Sequence, residues 1–141
     1  MQIDFSAELC QDWDKLKAAM DERGNNGGVY RVHACGSSTE NFKPTQRLLK
    51  QDPFGRLYIG MAASFTERFI VLLKSLRPDM KTLDHDFAVD YNSVPAVMAL
   101  YPLETLHFTL RFSPTPRITE SAELEAYRQE FGELPPFNMR L

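Results

Sequence analysis

The chain has 141 residues, 43% of them hydrophobic and 25% charged, with a formal net charge of -3 at pH 7. That length fits one domain, large enough to bury a core without metals or disulfides. Cys10 and Cys35 are the only cysteines and show no paired metal-ligand spacing, which argues against a disulfide framework or a zinc site.

No apolar run reaches the roughly 18 residues of a spanning helix. The opening MQIDFSAELCQDWDK lacks a basic segment followed by an apolar one, so no signal peptide is expected and a cytoplasmic protein is the default. Ser6 can cap a first helix over 6–23, in which Leu9, Trp13, Leu16 and Met20 recur at helical spacing and after which Gly24 can end it. VYRVHA, 29–34, reads as a strand. Residues 35–55 are polar and hold Gly36, Pro44, Pro53 and Gly55, the signature of a long loop or excursion. RLYIGM, 56–61, reads as a second strand, antiparallel to the first.

Ser64 and Glu67 form a capping-box pattern at the head of a helix over 64–77. Its apolar stripe is Phe65, Phe69, Leu72, Leu73 and Leu76, and Pro78 stops it. Residues 95–101 suit a short helix. Leu106, Phe108, Leu110 and Phe112 alternate with His107, Thr109 and Arg111, the period of a half-buried third strand. Pro114 and Pro116 suggest a linker. Thr119 can cap a last helix carrying Leu124, Tyr127 and Phe131 and ending at Gly132. The order predicts an α/β (α+β) domain: a small, three-stranded, mostly antiparallel sheet flanked by helices, with an extra N-terminal helix.

A net negative charge is unusual for a protein that binds nucleic acid, since neutralised phosphates supply most non-specific affinity. The central third is nevertheless locally basic, and Arg47, Lys50, Arg68 and Lys74 are its candidate phosphate contacts. Glu120 falls on the helical face of Leu124, Tyr127 and Phe131, where a carboxylate loses water unless it is paired or binds a metal. An acid favoured by the first turn's dipole is the plainer reading of Glu120, and Glu123 lies at the edge of the same face. Arg68 flanks the apolar stripe of its helix, either as a surface arginine with a buried stem or as a phosphate clamp. Tyr30 and Tyr58 are strand tyrosines, suited to packing; as a base a phenol would need a nearby cation to lower its pKa. His85, between two aspartates in LDHDF, could move a proton or sit in solvent. His33 and His107 occupy the polar positions of their strands and are expected at the surface.

Gly28-Val29-Tyr30, Tyr58-Ile59-Gly60, Arg68 ten residues after Tyr58, Glu120 and Asn138 follow one another in an order that resembles the GIY-YIG nuclease family. The similarity spans about residues 27–138, with YIGMAASFTER resembling the family's second strand, turn and first helix, and ESAELEAYRQEFGELPPFN its closing helix and terminal asparagine. The resemblance implies a divalent-metal-dependent endonuclease acting on DNA, with Mg²⁺ or Mn²⁺ on Glu120. It implies Tyr30 as general base or water-orienting group, Arg68 and Tyr58 as stabilisers of phosphate charge, His85 at a position that is often histidine or tyrosine, and Asn138 as a brace. The two motif tyrosines stand 28 residues apart, so the hairpin carries an insertion, about 35–55, whose Arg47 and Lys50 either reach DNA or solubilise a loop. Without a separate recognition module, the chain would act with little specificity, use the insertion, dimerise or rely on a targeting partner. The alternative is a binding or scaffolding domain of the same fold without turnover.

Overall fold

The computed structural model describes residues 2–6, 18, 27–36, 42–65, 91 and 94–138. The chain is an α+β domain built on a four-stranded antiparallel sheet. The strands of that sheet are β1 (Gln2–Ser6), β2 (Gly28–Ala34), β5 (Arg56–Ala62) and β6 (Leu106–Phe112), in the order β1-β6-β2-β5. Between β2 and β5, β3 (Thr45–Gln46) and β4 (Gln51–Asp52) form a separate small hairpin. Among the described residues, the α-helices with described bounds are α1 (Pro95–Leu100) and α2 (Pro116–Phe131).

The three strands predicted from alternation all form, and β1 adds a fourth. In β1, Ile3 and Phe5 alternate with Gln2, Asp4 and Ser6, a period-2 pattern only five residues long. Ser6 ends this strand, where it pairs with His107, and the residues it is expected to cap lie outside the described ones. Ala18 and Phe65 are helical, and the rest of the helices expected over 7–23 and 64–77 lies outside the described residues, Ser64 excepted.

The two sheet faces differ in kind. Tyr30, Val32, Leu106, Phe108 and Leu110 are buried with Phe65 and Tyr91 on one face, the main apolar core. On the other, Val29 and Ile59 meet Tyr127 and Phe131 of α2, with Leu124 at the margin. The same face carries Arg31, His33 and Thr109, so a strand pattern that reads as solvent-facing is roofed by a helix.

That helix starts earlier than Thr119. Pro116 takes the first helical position, where its missing N–H is no loss, and Thr115 is the N-cap. Thr119 lies inside, with its hydroxyl 2.7 Å from that of Ser113. Gly132, at φ 81°, closes the helix in the left-handed conformation that glycine adopts readily. The expected loop at 35–55 is an ordered excursion where it is described. The Leu49 N–H donates to the Phe131 carbonyl at 3.0 Å, so the hairpin tip docks on the end of α2. Among the described residues, no helix is long and apolar enough to cross a membrane.

Candidate functional site

Tyr30 on β2 pairs across the sheet with Gly60 on β5. A Cβ on Gly60 would lie 2.5 Å from the Tyr30 hydroxyl oxygen and 2.7 Å from the Tyr58 ring. The tyrosine therefore lies across the glycine, and the glycine is what lets it do so. The two rings stand 6.0 Å apart, tilted by 39°. Gly28 answers a second close approach: a Cβ there would run into the Arg111 carbonyl of β6. The two aromatic–glycine segments are thus a single interlock, which seats two phenols side by side at the outer strand of the sheet.

β5 is an edge strand, so alternate N–H and C=O groups along it face away from the ladder. Asn138 occupies one such place. Its side-chain carbonyl accepts the Ile59 N–H at 2.9 Å, and its amide donates to the Ile59 carbonyl at 2.9 Å. Two residues on along β5, the Met61 backbone hydrogen-bonds the Glu120 carboxyl. Burial pushes the Glu120 carboxyl above the usual carboxylate range, against the opposing pull of Arg117 and of that Met61 bond. Glu120 sits in the second turn of α2, and no acid occupies the first, so the helix-dipole reading of this residue does not hold.

Four of the expected site residues, Tyr30, Tyr58, Glu120 and Asn138, therefore gather around Tyr58–Ala62. The tyrosines lie on the face away from α2, whereas Glu120 reaches the strand from α2. Arg68, Lys74 and His85 lie outside the described residues. Arg47 and Lys50 are tied to the closing helix and to the residues just past its end. Arg47 pairs with Glu133 at 3.2 Å and donates to the Leu134 carbonyl at 2.6 Å. Lys50 pairs with Glu130 at 3.0 Å. A divalent ion would find, among the described residues, one carboxylate at this edge, Glu120. Among the described residues, no group of three or more His, Cys, Asp or Glu side chains could hold a metal. A single desolvated carboxylate suits a hard cation that keeps most of its waters and borrows substrate oxygens.

Beneath α2 lies a second polar assembly that sequence reasoning misses. Arg31 makes a bidentate pair with Glu123, and Arg111 adds a third donor at 3.2 Å. Arg31 also donates to the Thr109 hydroxyl at 3.4 Å. His33, expected at the surface, is buried. Its Nδ1 lies 2.8 Å from the Phe54 carbonyl, which can only accept, so Nδ1 carries the proton. Nε2 then accepts from the Thr109 hydroxyl at 3.0 Å. Burial depresses the His33 pKa to about 4, helped by His107 and two arginines and opposed by the Phe54 bond. His107, also expected at the surface, is half-buried, with its ring 6.2 Å from that of His33.

Asp52, fully buried, anchors the other side of this assembly. It accepts the Phe54 and Arg56 backbone N–H groups, the Arg56 guanidinium and the Tyr127 hydroxyl at 3.0 Å. Burial and the Asp52 charge push the Tyr127 hydroxyl well above the usual phenol range, so it donates and does not ionise. Gly55, at φ 53°, provides the left-handed turn that lets residues 52–56 wrap one carboxylate. These partners are up to 92 residues apart in sequence, so no local pattern signals them.

The chain is an α+β domain in which Tyr58, Asn138 and Glu120 lie on or against the edge strand β5, with a separate polar network under its last helix. Comparison of the chain with protein-family models, curated proteins and solved structures finds no match in any of the three.

Proposed function

We propose that the chain is a cytoplasmic, metal-dependent endonuclease of the GIY-YIG kind that hydrolyses phosphodiester bonds in DNA at the β5 edge. The observation that carries this reading is the interlock of Tyr30 over Gly60 beside Tyr58, on the strand whose edge also meets Glu120 and Asn138. A phosphodiester lying across the β5 edge would meet the phenols from one face and the Glu120 carboxylate from the other: a proton acceptor, a phosphate contact and an anchor for a cation. Mg²⁺ or Mn²⁺, held by Glu120, would supply Lewis-acid polarisation of the scissile phosphate. Tyr30 would accept a proton from the attacking water or orient it, and Tyr58 would hydrogen-bond a phosphate oxygen. Asn138 fixes Ile59, and so the strand between the two motif residues. Arg68 and His85 would complete the charge and proton inventory, with Lys74 extending the phosphate contacts. Targeting would come from a second copy or from a partner.

The test is supercoiled plasmid incubated with Mg²⁺, with Mn²⁺ and with chelator, alongside Tyr30→Phe, Arg68→Ala and Glu120→Ala. Metal-dependent nicking by the wild type, reduced by at least about 100-fold in each variant, is expected for groups acting in the transition state. Wild-type nicking that survives in Glu120→Ala would assign the activity elsewhere. One observation favours the second reading, a non-cleaving binding module: Arg47 and Lys50, expected at the phosphates, are held against Glu133 and Glu130. No cleavage of plasmid, branched or single-stranded DNA by the wild type would select it.

A further inference from the structure

Between α2 and the polar side of the sheet lies a cavity of about 420 Å³, within the range of small-molecule sites. It shares no side chain with the β5-edge tyrosines, Glu120 or Asn138. One wall is aromatic. Phe54 is 51% exposed, a large ring left at the cavity's side, and Phe42 meets it edge to face at 5.9 Å. A second wall is cationic and rigid. Arg56 spends Nε and Nη2 on Asp52, and its guanidinium lies 4.8 Å from the Tyr127 ring centre and 5.4 Å from that of Phe131. Its Nη1 makes no hydrogen bond among the described residues, so a fixed, always-charged donor lines the space.

The carboxylates around the cavity are already answered by cations. Arg31, Arg56, Arg111 and Lys50 are the cations of this cluster, and Asp52, Glu123 and Glu130 its carboxylates, each already paired. The lining itself carries two arginines, Arg31 and Arg56, and two carboxylates, Glu123 and Glu130, so it is the Arg56 Nη1 left over from Asp52 that offers an anion its contact. Glu123 accepts from two arginines, which leaves it little repulsion to exert on an incoming anion. The exposed Phe54 ring with the half-buried Phe42 would alone suit any apolar group, and an arginine alone any anion. Their co-occurrence in one cavity selects a molecule that carries both a flat ring and a charged group.

We propose that this cavity binds a nucleoside monophosphate, with its base on Phe42 and Phe54 and its phosphate on Nη1 of Arg56. The cavity is independent of the nuclease reading, since its residues, its face of the sheet and its assay are different.

The test is calorimetric titration of the full chain with AMP, with adenosine and with inorganic phosphate, all in EDTA and without DNA. AMP is expected to bind saturably at one site, with adenosine and phosphate each at least about tenfold weaker, because each lacks one of the two contacts. Phe54→Ala is expected to weaken AMP by at least about fivefold through lost stacking. Ala126→Trp fills the cavity from an exposed position on α2 and is expected to abolish binding with an unchanged melting midpoint. If that variant does not fold, Phe54→Ala decides alone. No saturable AMP binding up to about 10 mM, a weaker bound than a specific small-molecule site allows, overturns the proposal. So does AMP binding that both variants leave intact, and phosphate binding as tight as AMP removes the ring from the site.

Discussion

The α2 side of the sheet and the edge of β5 handle polarity in opposite ways. Under α2, side chain answers side chain: Glu123 takes Arg31 and Arg111, and Asp52 takes Arg56 and Tyr127. At β5, side chain answers backbone: Asn138 takes both polar groups of Ile59, and Glu120 takes Met61. The first arrangement is closed among long-range protein partners and holds a helix to a sheet. The second ends on one carboxyl lifted by burial above its ordinary pKa, with Tyr58 on that strand and Tyr30 on the neighbouring one. A closed network argues for stability, whereas a desolvated acid that such a network leaves out is a candidate for chemistry.

The difference between the two regions breaks first at Asp52. Asp52→Ala would leave the half-buried Arg56 guanidinium, the Tyr127 hydroxyl and the Phe54 and Arg56 backbone N–H groups without their acceptor, at a cost of at least about 3 kcal/mol in urea unfolding. A loss under about 1 kcal/mol would mean that the network does not hold α2 in place.

Next comes His33. Its folded pKa of about 4 lies below the ordinary 6.5, so between those values the unfolded chain binds more protons. The stability it contributes is complete above pH 6.5 and is lost as the pH falls toward 4, by up to about 3 kcal/mol. Denaturant midpoints of wild type and His33→Gln, measured across that window, should diverge at neutral pH and approach each other in acid. Parallel curves would remove His33 from the buried network.

Gly60→Ala sharpens the other side. Its Cβ would stand 2.5 Å from the Tyr30 ring and hydroxyl, and displacing that ring should cost about 1 to 3 kcal/mol by thermal unfolding. Plasmid nicking should fall further than stability does, since the phenols lose their register. Equal nicking by the variant would detach Tyr30 from the reaction. The smallest effect belongs to the half-exposed Lys50–Glu130 pair, where Lys50→Ala should change stability by less than about 0.5 kcal/mol.

Periodicity alone locates β2, β5, β6 and most of α2, because each buries a continuous apolar stripe. It misses β1, which has only Ile3 and Phe5 to alternate before the chain turns to another pattern. It starts α2 late, at Thr119, because a proline reads as a breaker until it is seen to occupy the first helical position. The pairing of Tyr30 with Gly60 is legible only as two motifs, and its physical meaning, a ring crossing a missing Cβ, requires the register. His33, Arg31 and Thr109 illustrate a harder limit. Alternation distinguishes polar positions from apolar ones, but it cannot tell a face open to water from one roofed by a polar network.

The Asn138 amide has one more consequence. By donating to and accepting from Ile59, it imitates a neighbouring strand for one residue pair, at the place where another chain's backbone would otherwise add on. The closing 3-10 turn (Pro136–Asn138) is therefore a guard against self-templating. A chain cut before Pro136 would present β5 as an open ladder, and its light scattering should climb with protein concentration where that of the intact chain stays flat.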